Sequence, residues 1–231
     1  MNIQDKSSSE PLIKLEDVSY SYEETPALSH ISLSIQKGEA VALQGPNGCG
    51  KTTLMKLLNG LVFSSSGTYS YNGHIITKKA LDDIVFGRKF HQQLGFVFQD
   101  PNVQLFCSSV YDEVAFGPLQ MGLSSTEVRQ RTSDILNLVE ISHLANRAPY
   151  HLSGGEKRKV SIACVLSLNP QVLLLDEPLN GLDEKTRGWL VDLLLGFKAG
   201  GKTLVISTHD QHLVSKLADR SIFFTETHSV L

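Results

Sequence analysis

The run Gly45-Pro46-Asn47-Gly48-Cys49-Gly50-Lys51-Thr52 sets glycine, four residues, glycine, lysine and threonine in a row. Glycines let the backbone turn its N–H groups inward, and a helix beginning at the lysine puts the positive end of its dipole behind them. That chemistry suits phosphate. The amides cradle β-phosphate oxygens, the Lys51 ammonium bridges the β- and γ-phosphates, and the Thr52 hydroxyl is a ligand for Mg²⁺, which prefers oxygen donors and keeps several waters. Further on, Val172-Leu173-Leu174-Leu175 runs straight into Asp176-Glu177. A carboxylate at the end of a buried strand can be aimed at a metal across a short gap, and two adjacent acids invite two roles. A solvated Asp-Glu-Pro turn is the plainer reading of an isolated pair, and a weak one beside a full phosphate loop. His209 follows Thr203-Leu204-Val205-Ile206-Ser207-Thr208 at another strand end, where a lone histidine is more often a satisfied structural group than a catalyst. Leu152-Ser153-Gly154-Gly155-Glu156 is a second amide-rich helix start and so a second anion site, too far along the chain to be assigned to the first loop by spacing.

Hydrophobic periodicity supplies the elements that must hold these groups. Leu12 to Tyr22 alternates roughly between apolar and polar residues, and Ile31 to Ile35 does so strictly after the turn-prone Glu24-Thr25-Pro26, which predicts an antiparallel, half-solvated β layer. Glu39 to Gln44 is a more continuously apolar strand that leads into the glycine loop and a helix from about Lys51 to Asn59, the context the loop requires. A strand pair is expected around Thr68 to Tyr71 with an Asn72-Gly73 turn, and Leu94 to Phe98 reads as buried strand. From Val110 to Ala148 the period becomes helical, with Ser124-Ser125-Thr126-Glu127 as a capping box. A helix from Glu156 to Leu168 ends at Asn169-Pro170. Strands at Val172–Leu175, Thr203–Ile206 and Ser221–Phe224 then alternate with helices near Glu184–Phe197 and Gln211–Ala218. The expected fold is α/β: a phosphate-loop core with a mostly parallel, covered sheet, an antiparallel β layer and a helical lobe inserted over about residues 109–168.

Composition narrows the function classes. A chain of 231 residues with 41% apolar content buries a sizeable core in one domain, taken as residues 12–231 after a polar leader, residues 1–11, that reads as disordered. A formal net charge of -3 with both signs scattered offers no basic field for a nucleic-acid backbone, so no nucleic acid is expected as partner. The longest apolar runs are far short of the roughly 20 residues a helix needs to cross a bilayer. Met1 to Pro11 has no apolar segment that would mark a secretory signal. The three cysteines, Cys49, Cys107 and Cys164, match neither a disulfide framework nor a metal cage and read as reduced thiols. Cys49, inside the phosphate loop, is expected to be open to alkylation that bound ATP would block.

The order of these motifs resembles the ATP-binding cassette ATPases, and the likeness runs from Leu12 to about Phe224. The resemblance implies ATP and Mg²⁺ at the loop, with Gly45 to Thr52 and the neighbouring Thr53 around the nucleotide. It implies that Asp176 holds Mg²⁺ directly or through water, that Glu177 orients and deprotonates the attacking water, and that His209 contacts the γ-phosphate and Glu177. Gln99 is similar to the glutamine that reaches the metal and the water. Tyr22 matches the position whose ring stacks on adenine, although Tyr20, two residues before it, is a packing competitor. Ser153, Gly154 and Gly155 would face the γ-phosphate of a second cassette, identical or paralogous, docked head to tail, and Asp183 would belong to the loop that crosses between sites. Glu156 stands where glutamine is common, and Leu179-Asn180-Gly181 replaces a more usual run.

Within the family, Phe96 to Phe106 followed by Glu113-Val114-Ala115-Phe116-Gly117-Pro118 looks like the ATPase subunits of energy-coupling factor importers for vitamins, cobalt or nickel. That implies a transmembrane coupling subunit, contacted by Leu105 and Phe106, a separate substrate-binding membrane subunit, and a peripheral place on the cytoplasmic face of the cell membrane. Two rivals share part of the machinery. A cassette protein acting on nucleic acid or ribosomes would carry paired cassettes or long insertions and bind in a salt-sensitive way. A small-molecule kinase would use the loop but leave Ser153-Gly154-Gly155 without a purpose.

Overall fold

The computed structural model describes residues 10–231. The leader expected over residues 1–11 falls almost wholly outside them. Strands β1 (Ile13–Tyr22) and β2 (Thr25–Ile35) form an antiparallel pair, followed by β3 (Ala40–Gln44) and helix α1 (Lys51–Leu58). Next come β4 (Ser66–Tyr71), β5 (His74–Ile75), the short α2 (Lys78–Leu81), α3 (Ile84–Gln93) and β6 (Leu94–Val97). Helices α4 (Val110–Gln120), α5 (Ser125–Leu138) and α6 (Gly154–Leu166) stand between β6 and β7 (Val172–Asp176). The chain finishes with α7 (Glu184–Ala199), β8 (Thr203–Ser207), α8 (Gln211–Leu217) and β9 (Arg220–Phe223).

Two sheets result. One is four-stranded and antiparallel in the order β2-β1-β4-β5, and the other five-stranded and parallel in the order β6-β7-β8-β3-β9. Because side chains alternate along a strand, the parallel sheet serves two cores at once. Val172 and Leu174 of β7 join Val41, Leu43 and Val205 on the face toward α1 and the antiparallel sheet. Leu173 and Leu175 join Leu204 and Ile206 on the face toward α4, α6 and α7. Burial on both faces explains why these strands read as unbroken apolar runs.

Local chemistry moves several expected boundaries. Thr25 and Pro26 lie within β2, opposite Tyr22 and Ser21, and the reversal falls on Glu23, which takes φ 53°. Proline is tolerated there because β2 is the edge strand of its sheet. Helix α6 starts two residues before the expected Glu156, since Ser153 caps it and Glu156 closes the cap from the third position. Helix α3 is not among the expected elements: it turns Phe86, Gly87 and Phe90 inward, while Ile84 and Val85 are exposed.

Candidate active site

The parallel strands end together, and the groups with chemistry stand at those ends. The loop after β3 is forced into shape by its glycines: Gly45, Gly48 and Gly50 have φ of 140°, 79° and 110°. A side chain on Gly50 would press its Cβ to 2.3 Å from the Ala27 carbonyl oxygen, and one on Gly45 to 2.6 Å from that of Phe224. Gly50 is also the N-cap of α1 and supplies no side chain to the first amides, so they remain free to bind an anion. Lys51 folds back over the loop, its ammonium donating to the carbonyl oxygens of Gly45 and Pro46 at 2.8 Å each.

Across from the loop, the Thr52 hydroxyl donates to Asp176 Oδ2 at 2.7 Å, and Ser207, at the end of β8, donates to Asp176 Oδ1 at 2.5 Å. Glu177 follows with φ 43°, a left-handed conformation that costs a non-glycine residue energy and concentrates at functional sites. Its N–H donates to the Ser207 carbonyl at 3.0 Å, which fixes the turn. Its carboxylate lies 3.4 Å from His209 Nε2, and the same ring nitrogen lies 3.2 Å from Asn47 Oδ1. Burial pushes the Glu177 carboxyl above the usual carboxylate range; His209 pulls it down, Asp176 pushes it up and Lys51 pulls it down.

These side chains enclose a cleft of about 400 Å³. Asn47, Gly48, Gly50, Lys51, Thr52 and Thr53 line it from the loop, and Gln99, Asp176, Glu177 and His209 from the sheet ends. Asn180 and Ser207 also line it; sequence reading placed Asn180 only in the loop that leads to Asp183, and missed Ser207. Asn180 sits in the Leu179-Asn180-Gly181 run that departs from the family pattern, and its N–H donates to the Glu177 carbonyl at 3.2 Å. Ser207 had a signal, the last position of a buried strand beside the acidic one.

The other expected site residues lie outside the lining. Gly45 and Pro46 act through the carbonyls that hold Lys51. Cys49 is only 2% exposed and packs in the core beneath the loop, which corrects the expectation of a thiol open to alkylation. Tyr22 is 42% exposed and meets the edge of Tyr20 at 4.9 Å between centroids. Ser153 and Gly154 are exposed, and among the described residues no neighbouring part of the chain comes within 4 Å of where a Gly154 side chain would begin. Asp183 caps α7, accepting from the Thr186 N–H at 3.0 Å and hydroxyl at 2.8 Å, and those bonds hold its carboxyl below the usual range. A Cβ on Gly155 would stand 3.6 Å from Asp183 Oδ2, so the Ser-Gly-Gly turn and the Asp183 cap share one stretch of surface.

Among the described residues, no group of three or more His, Cys, Asp or Glu is placed to hold a metal. One carboxylate, one hydroxyl and one amide, from Asp176, Thr52 and Gln99, are instead the sparse oxygen set that suits Mg²⁺ shared with phosphates and water.

Comparison with known proteins agrees with this geometry. The ABC transporter family model matches residues 28–180. The chain belongs to the ABC transporter family. It is an ATP-binding, ATP-hydrolysing cassette of a transport system. The nickel import ATP-binding protein LarO of Lactiplantibacillus plantarum is 46% identical over 95% of the chain and 91% of its own length. Among solved structures, cbiO1 of Clostridium perfringens, described as part of the ABC transporter complex cbiONQ, superposes with a TM-score of 0.82 at 36% identity, over 96% of this chain and 88% of that one. The dimeric ATP-binding cassette MJ0796, bound to ADP and Pi after hydrolysis, gives 0.84 at 30% identity over 94% and 96%.

Proposed function

We propose that this cassette powers an energy-coupling factor type importer, closing head to tail with a second cassette around ATP to drive uptake of a cobalt or nickel ion or a vitamin. The observation that carries the dimer is the separation of the two anion sites. The cleft holds Lys51 and the loop amides, while the Ser153 helix start lies outside it, exposed, and among the described residues the amides of Gly154 and Gly155 have no hydrogen-bond partner. A second copy, identical or paralogous, gives that turn a phosphate to bind, and MJ0796 is a dimer in its ADP and Pi state.

In the closed dimer, the loop amides and Lys51 hold the β- and γ-phosphates, and Tyr22 stacks on the base. Thr52, Asp176 and Gln99 would hold Mg²⁺, which supplies charge neutralisation at the phosphates when bound. Glu177, with its raised pKa and strained backbone, accepts a proton from the attacking water, and His209 keeps the carboxylate aimed through their 3.4 Å contact. Asp183 lies beside the Ser-Gly-Gly turn and crosses toward the partner's site. Catalysis comes mainly from positioning and preorganised charge.

Import through membrane subunits is supported by LarO, named for nickel import, and by cbiO1, named as part of a complex. No helix of the described residues is long and apolar enough to cross a membrane, so the chain would sit peripherally on the cytoplasmic face against a coupling subunit. An apolar groove beside Gln99 offers the contact: Phe106, 69% exposed, meets the edge of Phe116 there, with Leu61 and Phe98 behind. Leu105, expected to share this contact, is partly buried against the core on the lobe side.

The test is Glu177→Gln with Mg-ATP. Turnover should fall on the order of 100- to 10,000-fold, the usual range for a lost general base, while ATP binding persists and size-exclusion chromatography with light scattering records a dimer. A monomer that hydrolyses ATP at the wild-type rate would sink the reading. Isolation from detergent-solubilised membranes with a transmembrane subunit, whose loss of ATP-driven nickel or vitamin uptake follows the same substitution, tests the import half.

A further inference from the structure

Helix α3 shows solvent a face that neither packing nor helix propensity calls for. Phe86, Gly87 and Phe90 turn inward, while Ile84 and Val85, which open the helix, are 75% and 78% exposed. β-Branched residues favour a helix less than alanine or leucine do, and these two gain little burial in return. At 3.6 residues per turn, Ile84 and Arg88 share one outward stripe and Val85 and Lys89 the next, so each exposed aliphatic side chain has a cation beside it. Helix α2 adds Lys78 and Lys79 and buries none of its residues. It is fixed closely to α3, because a Cβ on Gly87 would press to 2.4 Å from the Leu81 carbonyl oxygen.

The charge of this face runs against that of the chain. Lys78, Lys79, Arg88 and Lys89 outnumber Asp82 and Asp83 in a protein of net charge -3, and Asp83 is engaged as the cap of α3, accepting from the Phe86 N–H at 2.8 Å. Among the described residues, none of the four cations forms an ion pair. Cations on long stems around short aliphatic side chains match the boundary of an anionic bilayer, where the charges stay with the phosphates and the aliphatics enter the layer beneath. The position of the face agrees. His91 follows Ile84 by seven residues on the same stripe and lines the apolar groove with Leu61 and Phe106. Ile84 therefore stands roughly 10 Å along the helix from that groove, and a cassette whose groove meets a transmembrane subunit turns this face to the bilayer beside it.

We propose that the outer face of α2 and α3 is a membrane-contact surface for anionic phospholipid headgroups, with Lys78, Lys79, Arg88 and Lys89 at the phosphates and Ile84 and Val85 in the boundary beneath them. The proposal rests on the peripheral seat against a coupling subunit argued above. The contact is reversible, and it brings the groove to the plane in which the coupling subunit lies.

The experiment is co-sedimentation of the full chain, at low ionic strength, with vesicles of phosphatidylcholine alone and of phosphatidylcholine with phosphatidylglycerol at about 3:1. The mixed vesicles should bind the chain at least about 10-fold more tightly than the neutral ones, a preference that fades as salt screens it. Arg88→Glu with Lys89→Glu should weaken binding to the mixed vesicles about 10-fold or more, and Ile84→Ser with Val85→Ser about 3- to 10-fold. ATP turnover of both double variants in solution should be unchanged, since these residues lie outside the cleft. Equal binding to the two kinds of vesicle, binding to neither, or full binding by the charge-reversed variant would overturn the proposal. Binding only to vesicles that carry the transmembrane subunit would assign the face to that subunit and overturn it too. Should the charge reversal unfold the chain, Arg88→Gln with Lys89→Gln is read the same way, and loss of fold there as well would make these cations stability residues and refute the proposal. A chain that isolates from membranes with its transmembrane subunit yet ignores the vesicles loses only the lipid contact. A chain that isolates with no membrane subunit removes the reading beneath it.

Discussion

Helices α1 and α6 both begin on glycine-bearing turns, and the two starts are finished in opposite ways. At α1 the chain walls itself in: Gly50 lies against the Ala27 carbonyl, Lys51 folds onto its own loop, and Thr52 reaches Asp176. At α6 Ser153 and Glu156 close a reciprocal cap, yet the turn stays on the surface with open space beside Gly154. The same physics, free amides at the positive end of a helix, is available at both. The difference teaches where this chain's own contribution to a phosphate site ends: one start is a complete cradle, and the other, in the proposed dimer, is half of one.

Two substitutions break the comparison most sharply. Lys51→Ala should lower turnover on the order of 100- to 1,000-fold, the range for losing a preorganised charge at a reacting oxygen, and should weaken ATP binding as well. Ser153→Arg should lower turnover to a similar extent but leave ATP binding to the single chain unchanged, since Ser153 lies outside the cleft. Fluorescent-ATP titration beside phosphate release distinguishes the two patterns. Matching losses of binding in both variants would mean that the two starts serve one site within one chain.

A smaller effect concerns pH at the closed site. In its proposed role Glu177 must be ionised to accept a proton, so kcat/KM should fall as pH drops through its pKa, and burial places that acid limb above the range of an exposed carboxylate. His209 opposes the shift, so His209→Gln should move the limb to still higher pH as well as slow turnover. A limb that stays in place would separate Glu177 from the histidine 3.4 Å away.

How much of each region could be read beforehand follows from how local its chemistry is. The loop from Gly45 to Thr52 was legible because spacing alone sets its geometry, and Asp176 and Glu177 because an apolar run announces the strand that ends on them. Asn47 beside His209 and Ser207 beside Asp176 were not, since their partners lie 162 and 31 residues away in the chain. The start of α6 was different. Ser153 and Glu156 have the same spacing as the recognised Ser124 and Glu127, but two glycines between them read as a turn and obscured the cap. Helix α3 was overlooked because its inward stripe is short, Phe86 and Phe90 either side of Gly87, and the two apolar residues that open it, Ile84 and Val85, are exposed.

The smallest effect separates capping from function. Ser124 and Ser153 each accept a bond from the N–H three residues on, while Glu127 and Glu156 reach back to the N–H of their serines. Ser124→Ala and Ser153→Ala should therefore cost similar stability, about 1 kcal/mol each, and lower Tm by about 2–4 °C in a chain of this size. Turnover should be untouched in the first and reduced in the second, because only the α6 turn would meet a nucleotide. Calorimetry with an ATPase assay on both variants checks this. Equal turnover in the two would reduce the Ser153 cap to a helix stop and leave the open surface beside Gly154 without a purpose.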